Sequence, residues 1–109
     1  MNYVHNELAK GRWGTLSLAE QMGNIGSEIS RAQNWKSKNE QIFINTIYRA
    51  LELLDLTIAD RRWGKGLKEI ARSREILTET IFGENKFETS LEDLDHYFTQ
   101  FALYLRKSK

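Results

Sequence analysis

Two acidic residues near the middle of the chain have the type and spacing to do chemistry. Glu52 and Asp55 form an E-x-x-D pair, which places both carboxylates on one helical face, one turn apart. Such a pair can contribute to a magnesium site, but the ion needs several oxygen ligands or substrate phosphates. Neither Glu20 nor Glu28 is followed by a second acid at the same spacing. A solvated or salt-bridged helix face is therefore the favoured interpretation.

The remaining candidates for catalysis or metal binding are equally incomplete. Asp93 and His96 have the i, i+3 spacing of a carboxylate and histidine pair in bundle metal sites, but that pattern needs further ligand pairs and His5 is the only other histidine. The 109 residues include no cysteine, and no serine lies in a nucleophile-elbow sequence. A glycine-rich phosphate loop is also missing. The sequence predicts no catalytic residue, no metal site and no cofactor.

An arginine in the apolar face of the third predicted helix points to a polar cluster. Arg74 needs a carboxylate partner or a route to solvent, and Glu28, Glu52 and Asp55 are the acids that could face it. The candidate binding cluster consists of Glu28, Arg49, Glu52, Asp55 and Arg74. It is either a buried ionic network that joins three helices or a binding site.

Charge is uneven along the chain although the formal net charge is only +1. Six basic residues and one acid lie between positions 61 and 74, whereas the stretch from 75 to 95 is strongly acidic. The basic patch formed by Arg61, Arg62, Lys65 and Lys68, together with Trp63, could engage RNA. Alternatively, the basic segment of one chain meets the acidic segment of another in a dimer. The third interpretation is charge balance within one molecule.

The elements that position these residues are predicted to be helices throughout. Proline is absent and helix-forming residues dominate, and no window shows the alternation of a half-buried strand. The organising helix covers residues 42–58, with apolar residues at steps of three and four, and is expected to continue through Asp60 and end at Gly64. Its Arg49, Glu52 and Asp55 interrupt the apolar run, so no membrane span is predicted.

Three further helices complete the predicted fold. The first runs from Ser17, which forms an S-x-x-E capping box with Glu20, to about Trp35. The third covers residues 67–82, and the last follows a capping pair at either Thr89 or Ser90. Another capping box, formed by Ser37 and Glu40, is expected to open the organising helix. The prediction is an all-α, four-helix up-down-up-down bundle in a single domain of residues 15–109, preceded by an N-terminal arm of residues 1–14.

Two features of the chain remain open to more than one interpretation. Gly23 and Gly26 lie within the first helix, where they either receive a partner's backbone or allow close packing against the organising helix. Close packing is the favoured reading. The tripeptide RWG occurs at residues 12–14 and 62–64. The flanking residues do not extend the match, so the repeat is interpreted as coincidence.

Two segments carry a resemblance to a known group of proteins. GNIGSE (residues 23–28) and RALELLDLTIAD (residues 49–60) resemble an uncharacterised family of small all-α prokaryotic proteins, which implies a helical fold and no particular site. A looser likeness is to HEPN-like helical domains of toxin and antitoxin pairs, but neither histidine follows an arginine at the spacing of their ribonuclease motif. The Glu52 and Asp55 pair is similar to half of the motif of MazG-type nucleotide pyrophosphohydrolases.

The sequence alone favours a non-enzymatic, self-associating helical bundle that acts as an interaction protein. A homodimer or another protein partner is expected, because apolar and aromatic positions exceed what one bundle seam needs. The alternatives are a MazG-like nucleotide enzyme centred on Glu52 and Asp55, or an RNA-binding or HEPN-like module. The N-terminus lacks the pattern of a secretory signal, and a cytoplasmic location is expected.

Overall fold

Four helices account for most of the chain in the computed structural model, which describes residues 11–107. The helices are α1 (Leu18–Trp35), α2 (Glu40–Ile58), α3 (Leu67–Phe82) and α4 (Leu91–Lys107), and short 3-10 segments cover Trp13–Thr15 and Arg61–Gly66. No strand occurs in the described part of the chain. The predicted all-α four-helix bundle is confirmed. Most of the predicted N-terminal arm lies outside the described residues.

Contacts between the helices show that each runs antiparallel to its neighbours. Gln21 near the start of α1 bonds Asp60 just after α2, and Ser30 late in α1 bonds Asp95 early in α4. The α2 residue Asp55 likewise bonds Arg74 of α3. Helix α1 packs closely on α2 and α4, while α3 closes the bundle against α2 and α4. The architecture is up-down-up-down, and α1, not α2, is its most central helix.

The core consists of the inward stripes of these helices. Its largest fully buried hydrophobic side chains come from all four helices and are Met22, Ile25, Ile29, Ile47, Leu54, Ile70, Leu77 and Phe98. Burial is uneven, because α1 contributes eight buried residues and α3 only three. Since burial of apolar surface dominates folding free energy, α3 is the helix held least firmly by the core.

Helix starts follow the predicted capping chemistry in two of three cases. Ser17 and Glu20 form the full reciprocal capping box at α1, and Ser90 and Asp93 do the same at α4. The prediction for α2 was wrong in its residue, because Asn39 and not Ser37 caps the helix by accepting from the backbone of Ile42. An amide side chain serves this position as well as a hydroxyl does.

The end of α2 also differs from the prediction. The helix stops at Ile58, and Asp60 accepts hydrogen bonds from the backbone and guanidinium of Arg62. This cap starts a separate 3-10 turn instead of extending α2. Gly64 lies inside that turn with a φ of 47°, a conformation that favours glycine. Gly64, where the organising helix was predicted to end, therefore lies in this separate turn, beyond the actual end of α2.

The glycines of α1 face α4, which corrects their predicted partner. A Cβ added at Gly26 would lie 3.4 Å from the Cβ of Phe98, and one at Gly23 would lie 3.4 Å from the guanidinium of Arg106. Small residues let helix axes approach closely. The close approach is therefore between α1 and α4, and the backbone of α1 remains accessible beside it.

Candidate functional site

One ion pair of the predicted polar cluster is present on the surface between α2 and α3. The Nε atom of Arg74 donates to Asp55 Oδ1 at 2.6 Å, and its Nη2 atom donates to Oδ2 at 3.3 Å. The side chains remain 35% and 46% exposed. Exposed pairs of this kind contribute about 0.5 kcal/mol, so this one adds little to the stability of the α2–α3 contact.

Glu28, another member of the predicted cluster, is engaged elsewhere. It is buried, and its Oε1 accepts from Arg31 of the same helix at 2.9 Å. Its Oε2 has no hydrogen-bond partner among residues 11–107. Arg49 and Glu52 are half-buried on α2. The structure therefore pairs Arg74 with Asp55, and no hydrogen bond connects Arg74 to Glu28 within the described chain.

The basic patch is divided by an internal ion pair. Arg62 donates from its Nη2 atom to Asp60 at 2.6 Å and to the carbonyl of Leu16 at 2.7 Å. Hydrogen bonds from Arg62 lower the pKa of Asp60 from 3.8 to about 2. The same contact raises the pKa of Arg62. All four predicted basic residues are exposed, but Arg62 is engaged by Asp60, so Arg61, Lys65 and Lys68 are the ones outside this ion pair.

Trp63 is less available for stacking than the sequence suggested. It is half-buried, and its Nε1 donates to Gln21 Oε1 at 2.9 Å. The guanidinium carbon of Arg62 lies 4.2 Å from the centre of the indole ring, a cation–π distance. A nucleobase would have to displace this guanidinium to stack on that side of the ring.

Gln21 joins the two RWG segments, a connection that sequence reasoning missed. Its Nε2 donates to the carbonyl of Trp13 at 2.9 Å and to Asp60 at 3.2 Å, while its Oε1 accepts from Trp63. Trp13 is buried and its own Nε1 donates to Thr57 at 3.1 Å. The repeated tripeptide was the signal that the sequence offered, but the burial of Gln21, which requires it to find partners, is seen only in the structure.

A cleft of about 300 Å³ separates α3 from the start of α4. Ile76, Leu94 and the ring of Tyr97 contribute to its lining. The Tyr97 hydroxyl donates to Glu69 at 2.5 Å, and burial together with this contact raises the pKa of Tyr97. Asp93 lies at the same cleft with its pKa lowered by hydrogen bonds from Ser90. The cleft is consistent with the loose packing of α3.

Large apolar side chains are exposed on two opposite sides of the bundle. On the α2–α3 side, Tyr48 and Phe82 are 53% and 46% exposed, and their rings stack with centroids 5.7 Å apart. On the α1–α4 side, Leu103 is 42% exposed and lines the groove between these helices. Exposed apolar groups that are clustered indicate interaction surfaces more strongly than scattered ones.

The described structure contains neither a metal-ligand cluster nor a membrane-spanning helix. Residues 11–107 contain no group of three or more histidine, cysteine or acidic residues that could hold a metal ion. Within the same residues, no helix has the length and apolar character to cross a membrane. Comparison with protein-family models, curated proteins and solved structures finds no match.

Proposed function

We propose that this protein is a non-enzymatic, self-associating helical bundle that acts as an interaction module. The observation that carries the proposal is the exposure of large apolar side chains, with Tyr48 stacked on Phe82 on the α2–α3 side and Leu103 beside the α1–α4 groove. Burying such side chains against a partner is favourable by about 25 cal/mol per Å² of apolar area removed from water.

The state of the polar residues supports an interaction module over a nucleotide enzyme. Asp55, half of the acidic pair that would hold magnesium, accepts two hydrogen bonds from Arg74. A cation at Asp55 would have to compete with this guanidinium. The buried Glu28 is engaged by Arg31 on α1 and does not add a third carboxylate beside the pair.

RNA binding is supported more weakly by the arrangement of the basic patch. Arg62 is held by Asp60 and by the carbonyl of Leu16, and it covers one side of Trp63. Arg61, Lys65 and Lys68 are exposed and could contact phosphates. Such contacts alone would give weak binding that falls steeply with salt.

Light scattering coupled to gel filtration tests the proposal directly. One chain has a mass of 12.8 kDa, and we expect the measured mass to rise toward twice that value as the protein concentration increases. A strict single-chain mass from micromolar to millimolar concentration would refute self-association. Magnesium-dependent calorimetric heat with a nucleoside triphosphate would instead favour the enzyme alternative, and salt-sensitive retention on RNA would favour the RNA-binding one.

A further inference from the structure

The face formed jointly by α1 and α4 combines a groove with exposed apolar side chains. The groove has a volume of about 380 Å³. We refer to this surface as the α1–α4 face. Its lining includes Gly23, Gly26 and Ser27 of α1 and Thr99, Leu103 and Arg106 of α4. Leu103 stands beside the groove with 42% of its surface in contact with solvent.

Charges are placed at regular positions along both helices of this face. On α4, Asp95, Thr99, Leu103 and Arg106 share one side of the helix, because they follow a rhythm of three and four residues. Asp95 and Arg106 are therefore about 16 Å apart along the helix axis. Asp95 bonds Ser30 of α1 at 2.5 Å, which fixes the acidic end beside the late part of α1.

The α1 helix repeats the same order of charges. Glu20, Ser27 and Arg31 share one side of α1, again with the acid toward the N-terminus and the base about 16 Å away. Because Gly26 lies against Phe98, the midpoints of the two charged stripes are at nearly the same level. A single two-fold axis across the middle of the face can therefore place each stripe opposite the same stripe of a second copy.

We propose that the α1–α4 face is the surface through which two copies of this chain associate, an inference that rests on the proposed self-association. A two-fold axis perpendicular to the helices sets α4 antiparallel to α4 of the second copy. It brings Arg106 of each copy to Asp95 of the other. Glu20 and Arg31 add no ion pair to this contact, because Glu20 caps the start of α1 and Arg31 pairs with Glu28 of its own helix. Such an isologous contact is self-complementary by symmetry.

The apolar residues favour α4 against α4 over the alternative of α4 against α1. Leu103, which is exposed beside the groove, belongs to α4, whereas the exposed stripe of α1 contains no large apolar side chain. Pairing α4 with its copy places Leu103 of one chain over the exposed Thr99 of the other, beside the groove that Ser27 and Thr99 line. These small side chains leave space for the leucine. Apolar surface is thus buried in the centre and opposite charges pair at the rim, as in ordinary interfaces.

A charge-swap experiment measured by sedimentation equilibrium tests this surface. We expect Arg106→Glu to weaken the dimer at least about 10-fold, because two symmetric attractive contacts become repulsive. Asp95→Arg alone should weaken it similarly, and the double variant with both changes should recover the wild-type affinity. Leu103→Glu should also dissociate the dimer. The matched control is Phe82→Glu, which places the same charge on the opposite face and should leave the dimer intact.

The outcomes separate this inference from the proposed function. A wild-type protein that stays a single chain would overturn both. A wild-type dimer that dissociates with Phe82→Glu but not with Leu103→Glu or Arg106→Glu would overturn the α1–α4 face and leave self-association standing. Failure of the double variant to recover affinity, with helical content unchanged by circular dichroism, would overturn the pairing of Arg106 with Asp95.

Discussion

Replacing Gln21 tests whether the junction of the two RWG segments stabilises the bundle. Gln21 is fully buried and takes part in three hydrogen bonds, two to protein oxygens and one from the indole of Trp63. Gln21→Met keeps the side-chain volume but removes all three. The buried carbonyl of Trp13 thereby loses the hydrogen bond that it accepts from Gln21.

The expected cost follows from the worth of each contact. A neutral hydrogen bond contributes about 1 kcal/mol net, and an unsatisfied buried group costs more. Asp60 keeps its hydrogen bonds to Arg62, so losing the bond from Gln21 to Asp60 costs little. We expect Gln21→Met to lower the free energy of unfolding by about 2 kcal/mol. Gln21→Ala should cost about 3 kcal/mol, because lost volume adds to lost hydrogen bonds.

Urea denaturation followed by circular dichroism measures these changes. Gln100→Met is the matched control, because Gln100 is exposed on α4 and should change stability by less than about 0.5 kcal/mol. A double-mutant cycle with Trp63→Phe should give a coupling energy of about 1 kcal/mol. The reasoning fails if Gln21→Met is as stable as the wild type, or if Trp63→Phe is equally costly with and without Gln21.

Three further outcomes follow from the packing and the ion pairs. Gly26→Leu should destabilise the fold by roughly 2 kcal/mol or more in urea titrations, because its side chain would overlap Phe98, whereas Asn24→Leu on the exposed side should be nearly neutral. The Asp60 pKa is lowered from 3.8 to about 2, so its stabilising contribution is present above pH 4 and is lost as the pH falls toward 2; Asp60→Asn should flatten the stability profile in that window. Hydrogen exchange should be faster in α3 than in α1, since α3 has three buried residues and α1 has eight, and equal protection of the two helices would contradict this.

The fold was predictable because its signals are local. Capping pairs such as Ser17 with Glu20 act within one turn, and apolar periodicity reports the buried stripe of each helix. The error at the end of α2 has a physical origin in Asp60, whose hydrogen bonds to Arg62 restart the backbone as a separate turn. In the sequence, Arg61 and Arg62 fit equally well as the last turn of a continuous helix or as residues that follow a cap at Asp60.

The candidate site was less predictable because it depends on helix register. Three acids could have faced Arg74, and its bond to Asp55 depends on the relative placement of α2 and α3. Glu28 shares a helix with Arg31, and this local partner is the one it uses. The meeting of Trp13 and Trp63 at Gln21 joins positions more than forty residues apart, and no local rule connects them.

The distribution of buried side chains also bears on which apolar face is suited to self-association. The α1–α4 face is backed by Met22, Ile29 and Phe98, all fully buried. The α2–α3 face depends on α3, which is held by few core residues and by exposed contacts such as Asp55 with Arg74. Association through a surface whose side chains and helices must be ordered costs additional conformational entropy. This cost is expected to be smaller for the α1–α4 face, because more core residues hold α1 than α3.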